Sequence, residues 1–449
     1  MKKRNRVLAV IMAAVLAGGS LAGCGGKGDD ASKSAKKEGS GDKVEISFWT
    51  QDSTTYMGWF KDAVEKFNAQ SDTVKVNAEY FPNFSDKLTQ AFAADQQPDV
   101  AFTWQGITPW AKSGKLAPVP ENSMTKEEME NQFYEGALKN KEYDGKYYCI
   151  PAEINVESPN LFVNMDLLEK TGKQLPATWV ENNGPASWEE LAEFAKEVTI
   201  QKDGSVTQSG LAYAYSSWEA MFASLIWQYG GDYRDEKNST VHFDTKEGRK
   251  AAEFMLKYCQ GEDAISDSGT SRYDLFTQGS AVMCIGAPWY ASSFDTDAEG
   301  LNYQVFNMPS FVEGADPYCV ATGGWGYVVN GKADEDVQNA AWEFAKFMST
   351  TEMTESWALG TGALSADKNA FADLEYDPNK GSVEKCIAIT KDILPYGQED
   401  GAYTLDASQL LYTICRQQLR QMVEDGDVEA ALKTMESEGN AMIETNINR

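Results

Sequence analysis

Apolar and polar positions predict a β-α-β unit after residue 43. Residues 44–50, VEISFWT, alternate as a half-buried strand does, and residues 74–80, VKVNAEY, repeat this pattern. Five apolar residues recur at helical spacing between these strands: Trp59, Phe60, Ala63, Val64 and Phe67. A second helix at 84–96 and a third strand at 98–104 continue the order. This alternation predicts an α/β fold with a parallel sheet.

Further elements follow along the chain without an internal repeat. Ser187 and Glu190 have the spacing of a capping box at the start of an amphipathic helix. The apolar run at 280–290, SAVMCIGAPWY, predicts a buried strand that leads into a loop, and 323–330, GGWGYVVN, predicts another short strand. Residues 406–443 read as mostly helical.

The first residues have the pattern of an export signal. A basic head precedes an apolar run at 7–17, which is too short to span a membrane. The order Leu-Ala-Gly-Cys at 21–24 resembles the bacterial lipobox, and this resemblance implies lipid on the sulfur of Cys24. We therefore expect a lipoprotein signal peptide at 1–23. The polar stretch at 24–42 is then a flexible tether that holds the protein at the outer face of the cell membrane.

The net charge and the apolar content of the chain limit the kinds of ligand and the number of domains that we expect. Loss of the four basic leader residues changes the formal charge from −28 to −32, which makes nucleic acid an improbable ligand. About 400 residues with 42% apolar content overall allow one large or two ordinary domains. No second apolar stretch reaches membrane length.

The residue types that ligate metals or act as nucleophiles form no motif. Six further cysteines occur singly, without a C-x-x-C pair, and their pairing is left open: residues 149, 259, 284, 319, 386 and 415. The lone His242 has no second histidine for zinc, so we expect a structural role. We predict no catalytic residue, no metal and no cofactor.

Ligands of open parallel sheets bind beyond the carboxyl ends of the strands. Three segments follow predicted strands and combine an aromatic residue with polar neighbours: Trp49–Asp52, Trp104–Gly106 and Gly286–Tyr290. These segments are candidates to line a site.

The order of motifs resembles the extracellular solute-binding proteins of sugar ABC transporters, the maltose-binding-protein-like family. The resemblance extends over the whole mature chain and rests on ISFWT (46–50), KLTQAFAADQQPDVAFTW (87–104), YDGKYYCIPAEINVESPNLFVNMDLLEKTG (143–172), FTQGSAVMCIGAPWYAS (276–292) and GGWGYVVN (323–330). Val163 replaces the usual Tyr, and Cys149 replaces the usual Gly.

The resemblance implies a two-lobe periplasmic-binding-protein-like α/β fold, with a ligand cleft between the lobes that closes by hinge motion. The expected ranges are 43–155 and 305–350 for lobe 1, and 156–304 and 351–449 for lobe 2. The expected chain crossings are near 153–157, 303–308 and 350. The expected partners are a carbohydrate and the permease subunits of an ABC importer, and the expected state is a monomer.

Sugars need flat aromatic rings for their C–H faces, and carboxylates or amides for their hydroxyl edges. Trp289 matches the family's stacking position in GPW, and Glu157 lies seven residues before Asn164, where the family places a sugar-binding Glu. The full set of expected ligand-binding residues is Trp289, Glu157, Trp104, Gln105, Tyr412, Trp325, Trp49, Gln51, Asp52 and Trp218. Trp188 and Trp342 lie on amphipathic helices and are expected in the core.

Two other functions compete with sugar binding for import. An exported glycoside hydrolase needs only two carboxylates about 5 to 10 Å apart, which a count of 68 acidic residues does not exclude. A binding protein for a non-sugar solute, such as a polyamine or peptide, is the other alternative. The aromatic content favours a sugar.

Overall fold

The computed structural model describes residues 43–399, 401 and 409–447. The predicted signal peptide, Cys24 and the tether lie outside these residues. The strands are β1 Val44–Gln51, β2 Val74–Phe81, β3 Val100–Thr103, β4 Glu142–Tyr143, β5 Lys146–Tyr147, β6 Ile150–Pro151, β7 Glu153–Val156, β8 Asn160–Asn164, β9 Ile200–Lys202, β10 Ser205–Ala212, β11 Arg234–Asp235, β12 Thr240–Val241, β13 Ala281–Gly286, β14 Tyr303–Asn307, β15 Cys319–Gly323, β16 Gly326–Val329, β17 Leu364–Ser365 and β18 Gly397–Gln398.

The helices connect and cover these strands. They are α1 Thr54–Gln70, α2 Phe84–Ala93, α3 Ile107–Lys112, α4 Lys126–Gln132, α5 Glu135–Leu138, α6 Met165–Lys170, α7 Ala177–Asn182, α8 Trp188–Val198, α9 Trp218–Gln228, α10 Lys246–Cys259, α11 Arg272–Thr277, α12 Tyr290–Asp297, α13 Glu335–Met348, α14 Thr351–Thr361, α15 Ser382–Ile393, α16 Arg416–Asp425 and α17 Val428–Ile447. A π-helical turn, Leu410–Cys415, leads into α16.

The first five-stranded sheet has the order β2-β1-β3-β16-β6. The predicted parallel arrangement is confirmed for β1, which pairs in parallel with both β2 and β3. The direction of β16 was not predicted, and this strand runs antiparallel to β3 and β6. The reason is the connection: β16 enters the sheet from β15 through a two-residue link instead of through a crossover helix, so the local β-α-β rule does not set its direction.

A second five-stranded sheet, β14-β8-β13-β10-β9, lies in the other lobe, and a connecting sheet, β17-β7-β15-β18, joins the two. The predicted crossing at 153–157 contains β7 of the connecting sheet. Residues 303–307 of the predicted crossing at 303–308 form β14, an edge strand of the second sheet whose five residues all pair with β8. After β14 the chain leaves the second sheet and enters the connecting sheet as β15. The residue ranges given above for the lobes stay a prediction.

Each large sheet has its own apolar core. Phe48, Phe60 and Phe344 pack together under the first sheet with ring centroids 5.2 to 5.4 Å apart. The larger second core contains Trp188 and also buries apolar residues of the C-terminal helices. Trp188 and Trp342 are 0% and 1% exposed, which confirms their expected core positions.

The predicted capping box forms only in part. The Ser187 hydroxyl accepts a hydrogen bond from the Glu190 backbone N–H at 3.2 Å. The Glu190 carboxylate does not return to Ser187. Its Oε2 accepts instead from the Ala186 backbone N–H at 2.7 Å, and its Oε1 accepts from Trp179 Nε1 at 2.8 Å.

The cysteine pairing left open by the sequence is settled for the described residues. All six cysteines there are buried free thiols. Burial raises the pKa of Cys149 to about 11 and that of Cys319 to about 12, so both are protonated at neutral pH. Within the same part of the chain, no helix is both long and apolar enough to cross a bilayer.

Candidate functional site: the cleft between the sheets

A cavity of about 820 Å³ lies where the ends of the two large sheets face each other across the connecting sheet. Gln51 ends β1, Trp104 follows β3, and Trp289 follows β13 on the opposite side. Glu153 and Glu157 come from the connecting segment between them. A mostly pre-formed cleft with a few polar groups is typical of a small-molecule site, and 820 Å³ is large enough for an oligosaccharide.

The cleft brings together seven of the ten residues expected at the site. They are Trp289, Glu157, Trp104, Gln105, Tyr412, Trp325 and Gln51. Trp104 is 37% exposed, a large fraction for a tryptophan. Trp325 packs nearly parallel to Phe102, with centroids 5.3 Å apart and an angle of 18°. This packing holds the indole of Trp325 in a fixed orientation at the cleft.

Three expected residues lie elsewhere. Trp49 is covered by neighbours outside the cleft: its Nε1 donates to Glu79 at 3.0 Å, and Lys87 lies 4.6 Å from its ring centroid. Asp52 is exposed and does not line the cavity. Trp218 is 1% exposed within the second core, because every residue of α9 is buried.

One wall of the cleft depends on a glycine. Gly106 has φ +73°, and a Cβ there would lie 2.6 Å from the Trp110 ring. Trp110 in turn stacks on Phe92 at 3.8 Å with an angle of 8°. Only glycine allows both the left-handed backbone and this close approach, so the loop that carries Trp104 and Gln105 is held against a rigid aromatic stack.

Glu157 has defined hydrogen-bond partners on both of its carboxylate oxygens. Its Oε1 accepts from Asn155 Nδ2 at 2.9 Å, and its Oε2 accepts from Arg272 Nη2 at 3.3 Å. Arg272 also donates to Ser158 Oγ and to Tyr290 OH, both at 3.1 Å. Burial would lower the pKa of Arg272, but Tyr290 and Glu157 raise it, so the guanidinium stays charged.

Glu153 is a site residue that the sequence interpretation missed. Its carboxylate accepts from the Trp325 backbone N–H at 3.3 Å and from Trp357 Nε1 at 3.1 Å. Burial raises the pKa of Glu153 to about 7, against the lowering effect of these hydrogen bonds and of Lys141. Lys141 is wholly buried, donates to the Gly324 carbonyl at 2.9 Å, and has a pKa lowered by burial. The sequence does contain a feature that could have identified Glu153, because it is the only acidic residue in the largely apolar stretch IPAEINV (150–156).

Arg416 is a second missed residue, four positions after Tyr412. Its Cζ lies 5.5 Å from the Tyr412 ring centroid, and its Nε donates to Glu219 Oε2 at 3.1 Å. Burial would lower the pKa of Arg416, but the hydrogen bond with Glu219 raises it. The π-helical turn directly before Arg416 is a distortion that often occurs at functional sites. The spacing of four on a predicted helix could have suggested Arg416.

The described residues contain no group of three or more side chains suited to a metal ion. His242 is exposed and lies outside the cleft, within 3.2 Å of Thr240 Oγ1. The side chains that line the described part of the cleft offer aromatic rings for stacking, and carboxylates, amides, hydroxyls and the Arg416 guanidinium for hydrogen bonding.

Residues 62–405 match the sequence model of the bacterial extracellular solute-binding protein family. The chain belongs to this family. The maltodextrin-binding protein of Bacillus subtilis is 26% identical over 377 residues, which cover 81% of this chain and 78% of that protein. The sn-glycerol-3-phosphate-binding periplasmic protein of Rhizobium meliloti is 23% identical over 75% of this chain and 80% of its own length.

The fold agrees with solved structures of such proteins. The cyclic α-maltosyl-1,6-maltose binding protein from Arthrobacter globiformis superposes with a TM-score of 0.70 at 19% identity, over 90% of this chain and 100% of that one. The expected two-lobe, maltose-binding-protein-like fold is confirmed. The resemblance to extracellular solute-binding proteins is confirmed as well, and this is a family of binding proteins located outside the cytoplasm.

Proposed function

We propose that this solute-binding protein captures a carbohydrate in the cleft and delivers it to the permease of an ABC importer. The observation that carries the proposal is the lining of the cavity, which combines aromatic rings with hydrogen-bonding side chains. Trp104, Trp289 and Trp325 offer ring faces, while Gln51, Gln105 and Asn155 offer amides. Flat rings and amides together match a sugar ring better than they match a purely apolar or purely ionic solute.

The relatives support a carbohydrate without deciding which one. The Bacillus subtilis relative is named for maltodextrin, and the Arthrobacter globiformis protein is named for a cyclic maltose derivative. The cavity volume of about 820 Å³ favours an oligosaccharide over a monosaccharide.

We also propose how the protein is held at the cell surface and how it presents its ligand to the permease. The protein is anchored to the outer face of the membrane by lipid on Cys24, and it acts as a monomer. The two lobes close on the ligand about the connecting sheet, and the closed form is the one that the permease recognises. In this proposal the lobes follow the two large sheets.

A thermal-shift screen against mono- and oligosaccharides tests the carbohydrate proposal. A ligand at 100 times its dissociation constant adds about 2.7 kcal/mol of stability, which is easily seen as a higher unfolding temperature. Isothermal titration then measures affinity and stoichiometry. If polyamines or peptides stabilise the protein and saccharides do not, the carbohydrate proposal is wrong.

The glycoside hydrolase alternative receives a separate test with the saccharide that stabilises the protein. In the described part of the cleft the lining acidic residues are Glu153 and Glu157. A hydrolase would need two such carboxyl groups roughly 5 to 10 Å apart. New reducing ends formed at catalytic turnover would establish an enzyme.

A further inference from the structure

Three ionisable side chains line the described part of the cleft: Glu153, Glu157 and Arg416. Each of these three side chains has a residue of opposite charge type beside it, on the side away from the cavity. Arg272 pairs with Glu157 at 3.3 Å. Lys141 lies close enough to Glu153 to lower its pKa.

The pair formed by Glu219 and Arg416 has the most defined geometry. Glu219 is 0% exposed and lies in the first turn of α9, whereas the side chain of Arg416 is 35% exposed and reaches the cleft. The contact is bidentate: Nε of Arg416 donates to Oε2 of Glu219 and Nη2 donates to Oε1. A bidentate pair of this kind fixes the plane of the guanidinium and cancels its charge.

The charge of a ligand follows from this arrangement. An anion that enters a cleft must leave water, and a cation whose charge is not already balanced by the protein is one of the strongest groups that can replace this lost solvation. In the described part of the cleft, Arg416 is the one cation that lines the cavity, and Glu219 already occupies two of its donor groups. The whole chain also carries a formal charge of −28, which repels anions at long range.

We infer that Glu219 is a specificity residue, which cancels the charge of Arg416 so that the cleft takes an uncharged solute and excludes phosphorylated or carboxylated ones. The inference rests on the proposed function and goes beyond it in naming the charge class of the ligand. Family membership does not decide this point, because the Rhizobium meliloti relative is named for sn-glycerol 3-phosphate, an anion.

The experiment compares the wild-type protein with Glu219→Gln. The probes are sn-glycerol 3-phosphate and inorganic sulfate as anions, and maltotriose as a neutral saccharide, each titrated calorimetrically at low and at high salt. In Glu219→Gln the amide keeps an acceptor for Arg416 but no longer cancels its charge. We expect the variant to bind both anions at least about tenfold more tightly than the wild type, with an affinity that falls as salt is added.

Two controls separate local from general effects. Asp244→Asn removes the carboxylate that pairs with Arg249 at 2.8 Å, outside the cleft, and changes the net charge by the same amount. This control should gain no anion affinity. The double variant Glu219→Gln/Arg416→Gln should lose the affinity gained by Glu219→Gln, because the cation itself is then absent. Unfolding of each variant without ligand shows whether it is folded.

The outcomes are distinct for the two proposals. Wild-type protein that binds sn-glycerol 3-phosphate as tightly as maltotriose, or more tightly, overturns the inference whatever the stability of the variant. An equal gain of anion affinity in Asp244→Asn also overturns it. If the wild type binds neither a neutral saccharide nor an anion, but Glu219→Gln gains anion binding as expected, the inference is supported and the carbohydrate proposal is the one that fails.

Discussion

Arg272 donates a hydrogen bond from Nη2 to Oε2 of Glu157 at 3.3 Å, although the two side chains are only 1% and 7% exposed. The contact joins the start of α11 in the second lobe to the end of the connecting strand β7. A buried ion pair is held by its geometry, because each charge has lost its water and depends on the other. The pair therefore fixes the Glu157 carboxylate at the cleft.

Replacing Arg272 alone should be strongly destabilising. Arg272→Met leaves Glu157 without its counter-charge in a buried position, and we expect a loss of about 3 to 5 kcal/mol in the free energy of unfolding. Urea unfolding monitored by fluorescence measures this loss. The double variant Arg272→Met/Glu157→Gln removes both charges and should be clearly more stable than Arg272→Met. Equal stability of the two variants would show that the charge of Glu157 is not the cause.

Trp289→Ala should weaken ligand binding more than it weakens the fold. The indole follows β13, is half-buried at the cleft, and packs against Tyr290 with centroids 4.4 Å apart. Burying roughly 100 Å² of ring face against a sugar at about 25 cal/mol per Å² gives about 2.5 kcal/mol. This corresponds to a roughly 50- to 100-fold loss of affinity, measured by calorimetric titration with the saccharide that stabilises the wild type.

Trp218 supplies the matched control for this prediction. Its side chain is 1% exposed in the second core and does not line the cleft. Trp218→Ala should therefore lower the free energy of unfolding by about 3 to 5 kcal/mol, while the folded fraction keeps nearly normal affinity. Normal affinity in Trp289→Ala together with a core-sized stability loss would falsify the assignment of Trp289 to the cleft.

Glu153 should make stability depend on pH near neutrality. Its pKa is raised by burial from 4.5 to about 7 in the folded protein, so the folded state holds a proton that the unfolded state has released. The stabilising contribution is complete below pH 4.5 and is lost as the pH rises to 7 and above. A shift of this size corresponds to about 3 kcal/mol.

Glu153→Gln isolates this contribution because glutamine does not titrate. The difference in unfolding free energy between wild type and variant should change by about 3 kcal/mol from about pH 4 to about pH 8, with the wild type losing stability relative to the variant. Lys141, Tyr56 and Tyr327, which interact electrostatically with Glu153, are present in both proteins. A difference that stays constant across this range contradicts the raised pKa.

Membrane retention should depend on Cys24, which lies outside the described residues. Cells that express Cys24→Ala should release the protein or keep an uncleaved precursor, because the sulfur that carries the lipid is missing. Fractionation and immunoblotting of membranes and medium measure the outcome. A mature-length variant that stays with the membrane as fully as the wild type contradicts the lipoprotein proposal.

The sequence by itself determined those strands and helices that are recognisable from the spacing of apolar residues along the chain. Alternation predicted β1 and β2, and helical spacing predicted α1 between them, because side-chain period depends only on neighbouring residues. The strand-end rule located Trp104 and Trp289 at the cleft, since it needs only the order of strands and loops. The order of motifs along the chain was enough for the family.

The tertiary structure alone decided which of the similar residues line the cleft. Trp49 and Trp104 both stand near strand ends, but Lys87 and Glu79 cover the first and leave the second open. The direction of β16 depends on its entry from the connecting sheet. The pair of Glu219 and Arg416 joins residues 197 positions apart, so no local pattern predicts it. Covering, strand direction and charge pairing all depend on contacts between distant segments, and those contacts exist only in the folded chain.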